Sequence, residues 1–250
     1  MNRRLRRLLG STIGMAPVRV RRGVAKGARW TLYPWTSYWR GTHEPAIQAA
    51  LAALGNGDIT GWSCWDLGAH FGIYSVALSI RVGPQGQVAA FEPNPQSFER
   101  LERHRRMNRL GWLKTYMAAA SDRSGTSELL TYGDLDSTST HLRYEGESQG
   151  DSSKPISIRS LRLDDLVESG ELRAPRFVKI DVEGHGHKAL EGMKGAVSRS
   201  RPSFIVAFHS GAEVGGVTGI LRPLGYSWRA IVEPPSNPGE MIGGDYLFTP

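Results

Sequence analysis

Cysteine is almost absent from the sequence, and this scarcity excludes one class of proteins. Cys64 is the single cysteine among 250 residues, so no disulfide can form within the chain. Small extracellular domains that depend on disulfides are thereby excluded, and a lone thiol is typical of a reducing compartment. We therefore expect a cytoplasmic protein stabilised by a hydrophobic core, for which this length and a hydrophobic content of 40% are sufficient.

Long apolar runs are also lacking. No stretch approaches the roughly 20 apolar residues that a transmembrane helix needs. The stretch after Arg7 is short and is interrupted by Gly10, Gly14 and Pro17, which is unlike a secretory signal. The sequence therefore predicts one soluble domain.

Acidic residues are missing from the N-terminus. Residues 1–29 contain no Asp or Glu, but they hold nine of the 31 basic residues. The other 22 basic residues face 24 acids, so the formal charge of +7 belongs to a basic N-terminal arm at 1–29, and the domain at 30–250 is nearly neutral. We favour a solvated lead-in for this arm. The alternative is attraction to an anionic partner, either a peripheral membrane contact or a nucleic acid.

Helix and strand signals alternate along the domain. The predicted helices lie at 44–54, 73–82, 95–108, 186–197 and 213–224. The predicted strands lie at 63–67, 87–92, 113–120, 126–132, 156–163, 177–183, 203–209, 226–232 and 244–249. This alternation predicts an α/β Rossmann-like sandwich, in which helices cover both faces of a mostly parallel sheet. No helix separates the last two strands, so we expect them to form an antiparallel pair at the edge.

Residues 133–155 differ from the rest of the domain. They are rich in Asp, Ser, Thr and Gly and have almost no apolar periodicity. A stretch of this length without secondary structure is uncommon in a compact domain unless it has a function. We predict a polar excursion over the binding pocket, flanked by 126–132 and 156–163 as paired strands.

A glycine-containing turn, D-L-G-A-H-F-G at 66–72, follows the first strand of this sheet. Ligands of open α/β sheets bind beyond the carboxyl ends of the strands, where the strand order reverses. Gly68 permits a sharp turn, and Gly72 lets the next helix begin close to a ligand. Dinucleotide sites use G-x-G-x-x-G, whereas His70 at the middle position would crowd a pyrophosphate. The turn instead suits a ligand that presents a positive aminoacyl-sulfonium group beside Asp66, with a purely structural turn as the alternative.

Glu92 ends the next predicted strand, about 20 residues after the glycine turn. A carboxylate at this distance can accept hydrogen bonds from both hydroxyls of a ribose. A lone Glu at a strand end is more often solvated, but its pairing with the glycine turn favours binding. The stretch at 119–121 ends the third strand and would lie over an adenine.

Charged residues alternate along F-V-K-I-D-V-E at 177–183. Lys179, Asp181 and Glu183 would share one face of a strand, where charges are costly to bury unless they are paired or in a cleft. We interpret the two acids as facing a site at the strand end and Lys179 as neutralising them.

His209 ends the following strand, so it should emerge at the same rim as Asp181. With an unperturbed pKa near 6.5, His209 could take a proton from a hydroxyl. Asp181 or Glu183 could do the same, or could hold a divalent cation with His209. We favour proton transfer without a metal, and we interpret His185 and His187 as flanking the start of a helix.

Taken in this order, the segments resemble the FkbM family of methyltransferases over about residues 23–250. The matching segments include D-L-G-A-H-F-G-I-Y-S, A-F-E-P-N-P, A-A-A-S-D-R-S-G and F-V-K-I-D-V-E-G-H-G-H-K-A-L-E-G. The resemblance implies a class I methyltransferase fold with a seven-stranded sheet and an antiparallel edge strand. It also implies S-adenosylmethionine as cofactor and O-methylation of a sugar, glycolipid or polyketide-like metabolite. His70 departs from the pattern, because the family commonly has Asn there.

The residue roles follow from the motifs and the resemblance together. The cofactor site is assigned to Asp66, Gly68, Ala69, Gly72, Ser75, Glu92, Asn94, Ala120 and Ser121. Asp181, Glu183 and His209 are assigned to catalysis, and no residue is assigned to a metal. Helix 44–54 would cover the pocket, and Trp35, Tyr38 and Trp39 could offer flat surfaces to a sugar ring or to adenine.

Three rival functions remain at this point. A nucleic-acid methyltransferase would use the basic arm, but enzymes that methylate base amines usually carry an N-P-P-Y-like turn where this chain has I-D-V-E-G, so no nucleic-acid partner is expected. An NAD-dependent oxidoreductase conflicts with His70. A binding module without catalysis would not need Asp66, Glu92 and Asp181 together at strand ends. The acceptor and the oligomeric state are left open.

Overall fold

The computed structural model describes residues 16–33, 36–132, 140–142, 153–232 and 241–250. Residues 1–15 of the predicted arm and Trp35 lie outside these ranges. The predicted polar excursion at 133–155 also lies outside them, apart from 140–142 and 153–155.

Thirteen strands and seven helices fall within the described ranges. The strands are β1 (Pro17–Arg19), β2 (Arg29–Thr31), β3 (Ser63–Leu67), β4 (Gln87–Phe91), β5 (Leu113–Tyr116), β6 (Ala119–Ser121), β7 (Gly125–Tyr132), β8 (Thr140–Leu142), β9 (Ser153–Arg162), β10 (Phe177–Ile180), β11 (Ser203–Ala207), β12 (Ser227–Val232) and β13 (Asp245–Thr249). The helices are α1 (Pro45–Ala53), α2 (Ile73–Val82), α3 (Pro95–Met107), α4 (Leu163–Glu168), α5 (Gly186–Glu191), α6 (Lys194–Ser200) and α7 (Gly211–Leu221). Short 3₁₀ turns lie at Tyr38–Arg40, Leu54–Gly57 and Arg222–Leu224.

The central sheet has seven strands in the order β12-β13-β11-β10-β3-β4-β5. Strands β11, β10, β3, β4 and β5 pair in parallel. This confirms the predicted α/β sandwich. The last two strands form the expected antiparallel pair at the edge. Within that pair β13 is the reversed strand and lies one position inside β12, since it is also antiparallel to β11. The strand order reverses between β3 and β10, which is where a ligand is expected to bind.

The two faces of the central sheet bury separate apolar clusters, because side chains alternate along each strand. Cys64 points into the cluster with Leu78 of α2, and its neighbour Trp65 points into the cluster with Leu190 of α5. Helices α1 to α3 cover the first face and helices α4 to α7 the second. Both faces of the central sheet are therefore buried from solvent, as is typical of a largely parallel sheet.

A second sheet carries the segment around the predicted excursion. Its order is β6-β9-β7-β8, and β7 pairs with β9 in antiparallel register from Gly125–Ser160 to Tyr132–Ser153. The predicted pairing of 126–132 with 156–163 is thus confirmed.

Several predicted elements are shortened or divided in the structure, among them the strand predicted at 203–209, which ends at Ala207 before His209. The predicted strand 113–120 splits after Tyr116, and β6 joins the second sheet instead of the first. The predicted strand 177–183 ends at Ile180, and Glu183 in the following turn adopts a left-handed φ of 51°. The predicted helix 186–197 is divided after Glu191, and Met193 departs from helical dihedrals with φ −125° and ψ 17°. Gly192 at this junction packs on Ser121, since a Cβ there would lie 1.9 Å from its carbonyl oxygen. Asp181 and Glu183 therefore do not alternate on a strand; they lie in the turn that follows it.

The described part of the predicted arm packs against the domain. Strands β1 and β2 form an antiparallel hairpin whose Val20, Ala25 and Trp30 side chains are buried. Trp30 stacks on His104 of α3 with ring centroids 3.5 Å apart. The backbone N–H of Thr31 donates to His104 Nε2 at 3.2 Å. Apolar burial therefore holds residues 17–31 in place.

None of the helices within the described ranges is both long enough and apolar enough to cross a bilayer.

Candidate active site

A cavity of about 370 Å³ opens at the carboxyl ends of the central strands. Its walls combine residues from the glycine turn, the ends of β4, β6, β10 and β11, and the segment that precedes α1. The lining residues that matter below are Tyr38, His43, Glu44, Gly68, Ala69, His70, Tyr74, Glu92, Ala119, Ala120, Lys179, Asp181, Glu183, His185 and His209. The cavity lies where the sequence predicts a site.

The glycine turn approaches the neighbouring strand closely. Gly68 has a left-handed φ of 80°, and a Cβ there would lie 1.8 Å from the carbonyl oxygen of Asp181. Only glycine can therefore occupy this position without moving the backbone. Gly72, with a φ of 84°, instead packs on Leu101 of α3 and is absent from the cavity wall. The two glycines of the motif therefore have different roles: Gly68 lines the cavity, and Gly72 allows close packing against α3.

Glu92 presents a carboxylate to the cavity from the end of β4. Its Oε2 accepts the backbone N–H of His70 at 2.7 Å, and its Oε1 accepts the backbone N–H of Asn94 at 2.8 Å. Burial outweighs these two bonds and raises the pKa of Glu92 to about 7. Each oxygen keeps a further lone pair, so this fixed carboxylate can accept hydrogen bonds from a bound ligand.

Asp66 lies beneath the glycine turn and is almost completely buried. Ser75 donates its hydroxyl to Asp66 Oδ2 at 2.5 Å. The other oxygen, Oδ1, is buried without a hydrogen-bond partner among the described residues, and burial raises the pKa of the carboxyl group. An unpartnered buried oxygen is costly. Asp66 is absent from the cavity wall, so it supports the glycine turn from behind.

The remaining predicted cofactor residues fall into two groups. Ala69 and Ala120 line the cavity. Asn94 and Ser121 do not: Asn94 caps α3 by accepting from Gln96 and Ser97, and Ser121 hydrogen-bonds His185 Nε2 at 3.1 Å. His185 is placed at the start of α5, as predicted, and it also reaches the cavity wall.

The three predicted catalytic residues converge at one side of the cavity. His209 Nε2 lies 3.2 Å from Asp181 Oδ1, and His209 Nδ1 lies 3.5 Å from Glu183 Oε2. His209 projects from the segment just after β11, next to the turn that follows β10. The structure thus brings together two carboxylates from the turn after β10 and an imidazole from the segment after β11.

Charges around this group set its protonation. Burial acts to lower the pKa of His209, but the hydrogen bond to Asp181 and the charge of Glu183 outweigh it and raise the pKa to about 9. Burial acts to raise the pKa of Asp181, but the Lys179 ammonium, 2.8 Å away, holds that pKa well below its usual range. Lys179 therefore neutralises Asp181, as predicted, and His209 is the stronger base of the pair.

Glu44 and Tyr74 on the cavity wall, and Glu213 behind it, were not predicted as site residues. Tyr74 donates its hydroxyl to Glu44 at 2.6 Å, and the Tyr38 hydroxyl lies 3.0 Å from His70 Nδ1. Glu213, fully buried in α7, accepts from the backbone N–H groups of Gly186 and His209, both at 2.8 Å, and so positions the chain at His209. No local sequence pattern distinguishes these residues, because most of their hydrogen-bond partners lie 27–32 residues away along the chain. Of the predicted aromatic surfaces, Tyr38 lines the cavity, whereas Trp39 packs between Arg21 and Arg40.

Comparisons with known proteins agree with this geometry. Residues 66–228, well over half of the chain, match the family model of the methyltransferase FkbM domain. The hexuronic acid methyltransferase AglP of Haloferax volcanii is 31% identical over 206 residues, which cover 78% of this chain and 75% of that protein. The crystal structure of a methyltransferase FkbM from Methylobacillus flagellatus KT superposes with a TM-score of 0.53 at 18% identity. The superposition covers 79% of this chain but only 47% of that one, so this protein spans about half the length of that neighbour.

The family match removes the oxidoreductase alternative and makes the protein an S-adenosylmethionine-dependent methyltransferase. The parallel sheet, the glycine turn after β3 and the carboxylate after β4 are thereby explained as parts of one architecture. The chain belongs to the FkbM family of methyltransferases.

Proposed function

We propose that the protein methylates a hydroxyl oxygen of a sugar. Bound S-adenosylmethionine supplies an electrophilic sulfonium methyl group. The sugar class is supported by the relative from Haloferax volcanii, which is named for its action on a hexuronic acid. The choice of a hydroxyl rests on the residues around His209.

The residues at the glycine turn fit this cofactor. The Glu92 carboxylate is placed to accept from ribose hydroxyls, and the close approach of Gly68 to the β10 turn leaves room for a ligand above it. Asp66, buried beneath the same turn and bonded to Ser75, supports the turn from behind. Ala119 and Ala120 add an apolar wall suited to an adenine. We assign cofactor binding to Gly68, Ala69, Glu92 and Ala120 by contact, and to Asp66, Gly72, Ser75, Asn94 and Ser121 by support from outside the cavity wall.

The Asp181–His209 pair carries the functional proposal. When the His209 ring is neutral and carries its proton on Nε2, that N–H donates to Asp181. Nδ1 of the same ring, on the side of Glu183, is then the proton acceptor. A hydroxyl oxygen becomes a competent nucleophile as its proton passes to this nitrogen. Asp181, neutralised by Lys179 and with a lowered pKa, orients the ring and stabilises the imidazolium that forms.

The alternative acceptor is a carboxylate, since a hexuronic acid carries both kinds of oxygen. A carboxylate needs no base, but it needs cations around it. Here Glu44, Asp181 and Glu183 line the cavity. Lys179 is already bonded to Asp181, and the His209 ring, charged below its pKa of about 9, is already flanked by Asp181 and Glu183. No arginine lines the cavity among the described residues. The electrostatics therefore favour a hydroxyl.

The proposed function is tested by the product. With radiolabelled S-adenosylmethionine and a panel of hexosides and hexuronosides, we expect label in a methyl ether that survives mild alkali. A methyl ester would be hydrolysed under those conditions and would contradict the choice of a hydroxyl. Label in nucleic acid offered in parallel, with none in sugars, would support the rival in which the basic arm binds nucleic acid.

Replacement of Glu92 by Gln should weaken cofactor binding. The substitution keeps the shape of the side chain but replaces one of the two acceptor oxygens by a donor, which opposes the N–H of His70 or Asn94. We expect the Kd for S-adenosylhomocysteine to rise about 10–100-fold, the equivalent of about 1.4–2.8 kcal/mol, in calorimetric titration.

A matched control for this variant is Glu168→Gln, because Glu168 is exposed on α4 and does not line the cavity. It should bind like the wild type. Equal affinities for the wild type and Glu92→Gln would show that Glu92 does not contact the cofactor.

Chelation of metal ions should leave turnover unchanged. Ligand atoms of Asp181, Glu183 and His209 lie within 4.8 Å of one another, so they could hold a divalent cation. However, Lys179 already bonds Asp181, and a metal would have to displace a proton from an imidazole whose pKa is raised to about 9. Turnover in EDTA should match turnover in buffer, whereas loss in EDTA with recovery on addition of Mg²⁺ or Mn²⁺ would show a metal-dependent site.

A further inference from the structure

Exposed cations collect on one side of the molecule, where the β1–β2 hairpin meets the end of α3. We call this surface the basic face. Its exposed members are Arg19, Arg21, Arg22, Lys26, Arg29, Arg106 and Arg109. The described hairpin segment at 16–33 contains no acidic residue. The basic residues of the hairpin are therefore joined on this surface by Arg106 and Arg109, which are far from them in the sequence.

Specific contacts hold the two parts of the basic face together. The backbone N–H of Arg29 donates to Asn108 Oδ1 at 2.7 Å, and Asn108 Nδ2 donates back to the carbonyl of Arg29 at 2.8 Å. The stack of Trp30 on His104 lies next to this pair. The basic face is thus a surface of fixed shape, built on the domain itself.

Acidic residues nearby do little to neutralise it. On α3, Glu102 hydrogen-bonds Arg105 at 2.7 Å and accepts from Thr115. It also lies 3.7 Å from Arg106, so it partly neutralises that one member of the basic face. Glu99 is the other acid of that helix and is exposed. Arg106 aside, six exposed cations of the hairpin and the end of α3 face one exposed acid of that helix, Glu99. The surface is therefore positive, although the rest of the chain is nearly neutral.

We propose that the basic face docks the enzyme on an anionic lipid bilayer. Basic clusters bind such surfaces through attraction to acidic headgroups, and each cation near the surface strengthens binding about fivefold. The sequence that leads into the hairpin, M-N-R-R-L-R-R-L-L at 1–9, alternates arginines with leucines. Cations interleaved with apolar residues are typical of segments that bind the membrane interface.

Nucleic acid is the other polyanion that such a surface could attract. Single-stranded binding usually relies on exposed aromatic side chains for base stacking. The exposed large apolar side chains of the described residues are Ile80, Met117, Trp228, Val232 and Ile242, and none of them belongs to the basic face. The leucines of the leading segment also have no use in binding phosphates. The observations therefore favour lipid.

The test uses the full chain in sedimentation with vesicles of phosphatidylcholine, alone and in equimolar mixture with phosphatidylglycerol. The test variant combines Arg22→Gln, Lys26→Gln and Arg29→Gln. The matched control combines Arg199→Gln, Arg222→Gln and Arg229→Gln, which remove the same charge at α6, the last 3₁₀ turn and β12, toward the opposite edge of the central sheet. Unchanged Tm and unchanged affinity for S-adenosylhomocysteine show that both variants are folded.

We expect binding to the mixed vesicles only, weakened by added salt, and a loss of about 100-fold in the test variant with little change in the control. Equal losses in the two triple variants would overturn the proposal, because only net charge would then matter. Equal binding to both kinds of vesicle, or no binding to either, would also overturn it. Tighter binding to a single-stranded RNA than to the mixed vesicles would assign the basic face to nucleic acid instead.

Discussion

His209→Gln is expected to lower kcat about 10²–10⁴-fold, the range typical of a lost general base. The variant keeps a donor toward Asp181 but has no nitrogen that can accept a proton at the Nδ1 position, 3.5 Å from Glu183. Affinity for S-adenosylhomocysteine should not change, since His209 lies on the acceptor side of the cavity. Steady-state methyl transfer and calorimetric titration measure the two quantities separately. A wild-type rate in this variant would show that another group takes the proton.

The pH dependence of the wild type gives an independent measure of the same role. The base must be neutral to act, and its pKa in the free enzyme is raised to about 9. The value of kcat/KM should therefore rise with pH and level off above about 9. Asp181→Asn removes the hydrogen bond and charge that raise this pKa, so the rise should shift to lower pH. A residue with only a structural role would lower the rate without moving the profile, and an unmoved profile would contradict the pairing.

Gly68→Ala should abolish activity and weaken cofactor binding strongly. The new Cβ would lie 1.8 Å from the carbonyl oxygen of Asp181, so the backbone of the β3 or β10 turn must move. That movement displaces the Asp181–His209 pair, and an error of about 1 Å in such a site can cost 100-fold in rate. Calorimetry with S-adenosylhomocysteine and a turnover assay would report both losses.

Gly61→Ala is the matched control, because Gly61 has nearly the same backbone conformation in open space. Its φ is 76°, against 80° at Gly68, and a Cβ there would have no neighbour within 4 Å. It should lose about 1–2 kcal/mol of stability from the left-handed backbone alone and keep its activity. Similar behaviour of the two variants would mean that backbone strain, and not the close approach to Asp181, governs this position.

The sheet was predictable from the sequence because its strands are short apolar runs punctuated by Gly and Pro. Strand 63–67 and helix 73–82 were predicted with the bounds that the structure has. The predicted ends of helices and strands were wrong where contacts with distant residues determine the backbone conformation. The helix predicted at 186–197 is divided at Gly192 and Met193, where Gly192 packs on Ser121. The charge alternation at 177–183 continues beyond Ile180, where the strand ends and a turn begins.

The residues of the candidate site that directly follow the strands of the parallel sheet could be predicted from the sequence. Asp181, Glu183 and His209 emerge at the same rim because the parallel strands β10 and β11 end there, and topology alone implies their proximity. Tyr38 was predicted as a flat surface at the site, and helix 44–54 was predicted to cover the pocket. In the structure the segment before α1 forms that part of the wall, and Glu44 accepts from Tyr74 of α2, a contact that local sequence does not indicate. Which residues of the glycine motif touch the cavity and which support it from behind depends in the same way on packing.

His104 joins two regions that the sequence keeps far apart. Its Nε2 accepts from Thr31 in the hairpin, and its Nδ1–H donates to the carbonyl of Phe71 in the glycine turn at 2.8 Å. Burial lowers the pKa of this ring to about 3, so the neutral form that makes both bonds persists in the folded protein well below the unperturbed value. Relative to the unfolded chain, its contribution to stability is complete above about pH 6.5 and declines by about 1.4 kcal/mol per unit as the pH falls toward 3. His104 is thus a titratable link between the basic face and the glycine turn, and protonation of its ring in acid weakens that link.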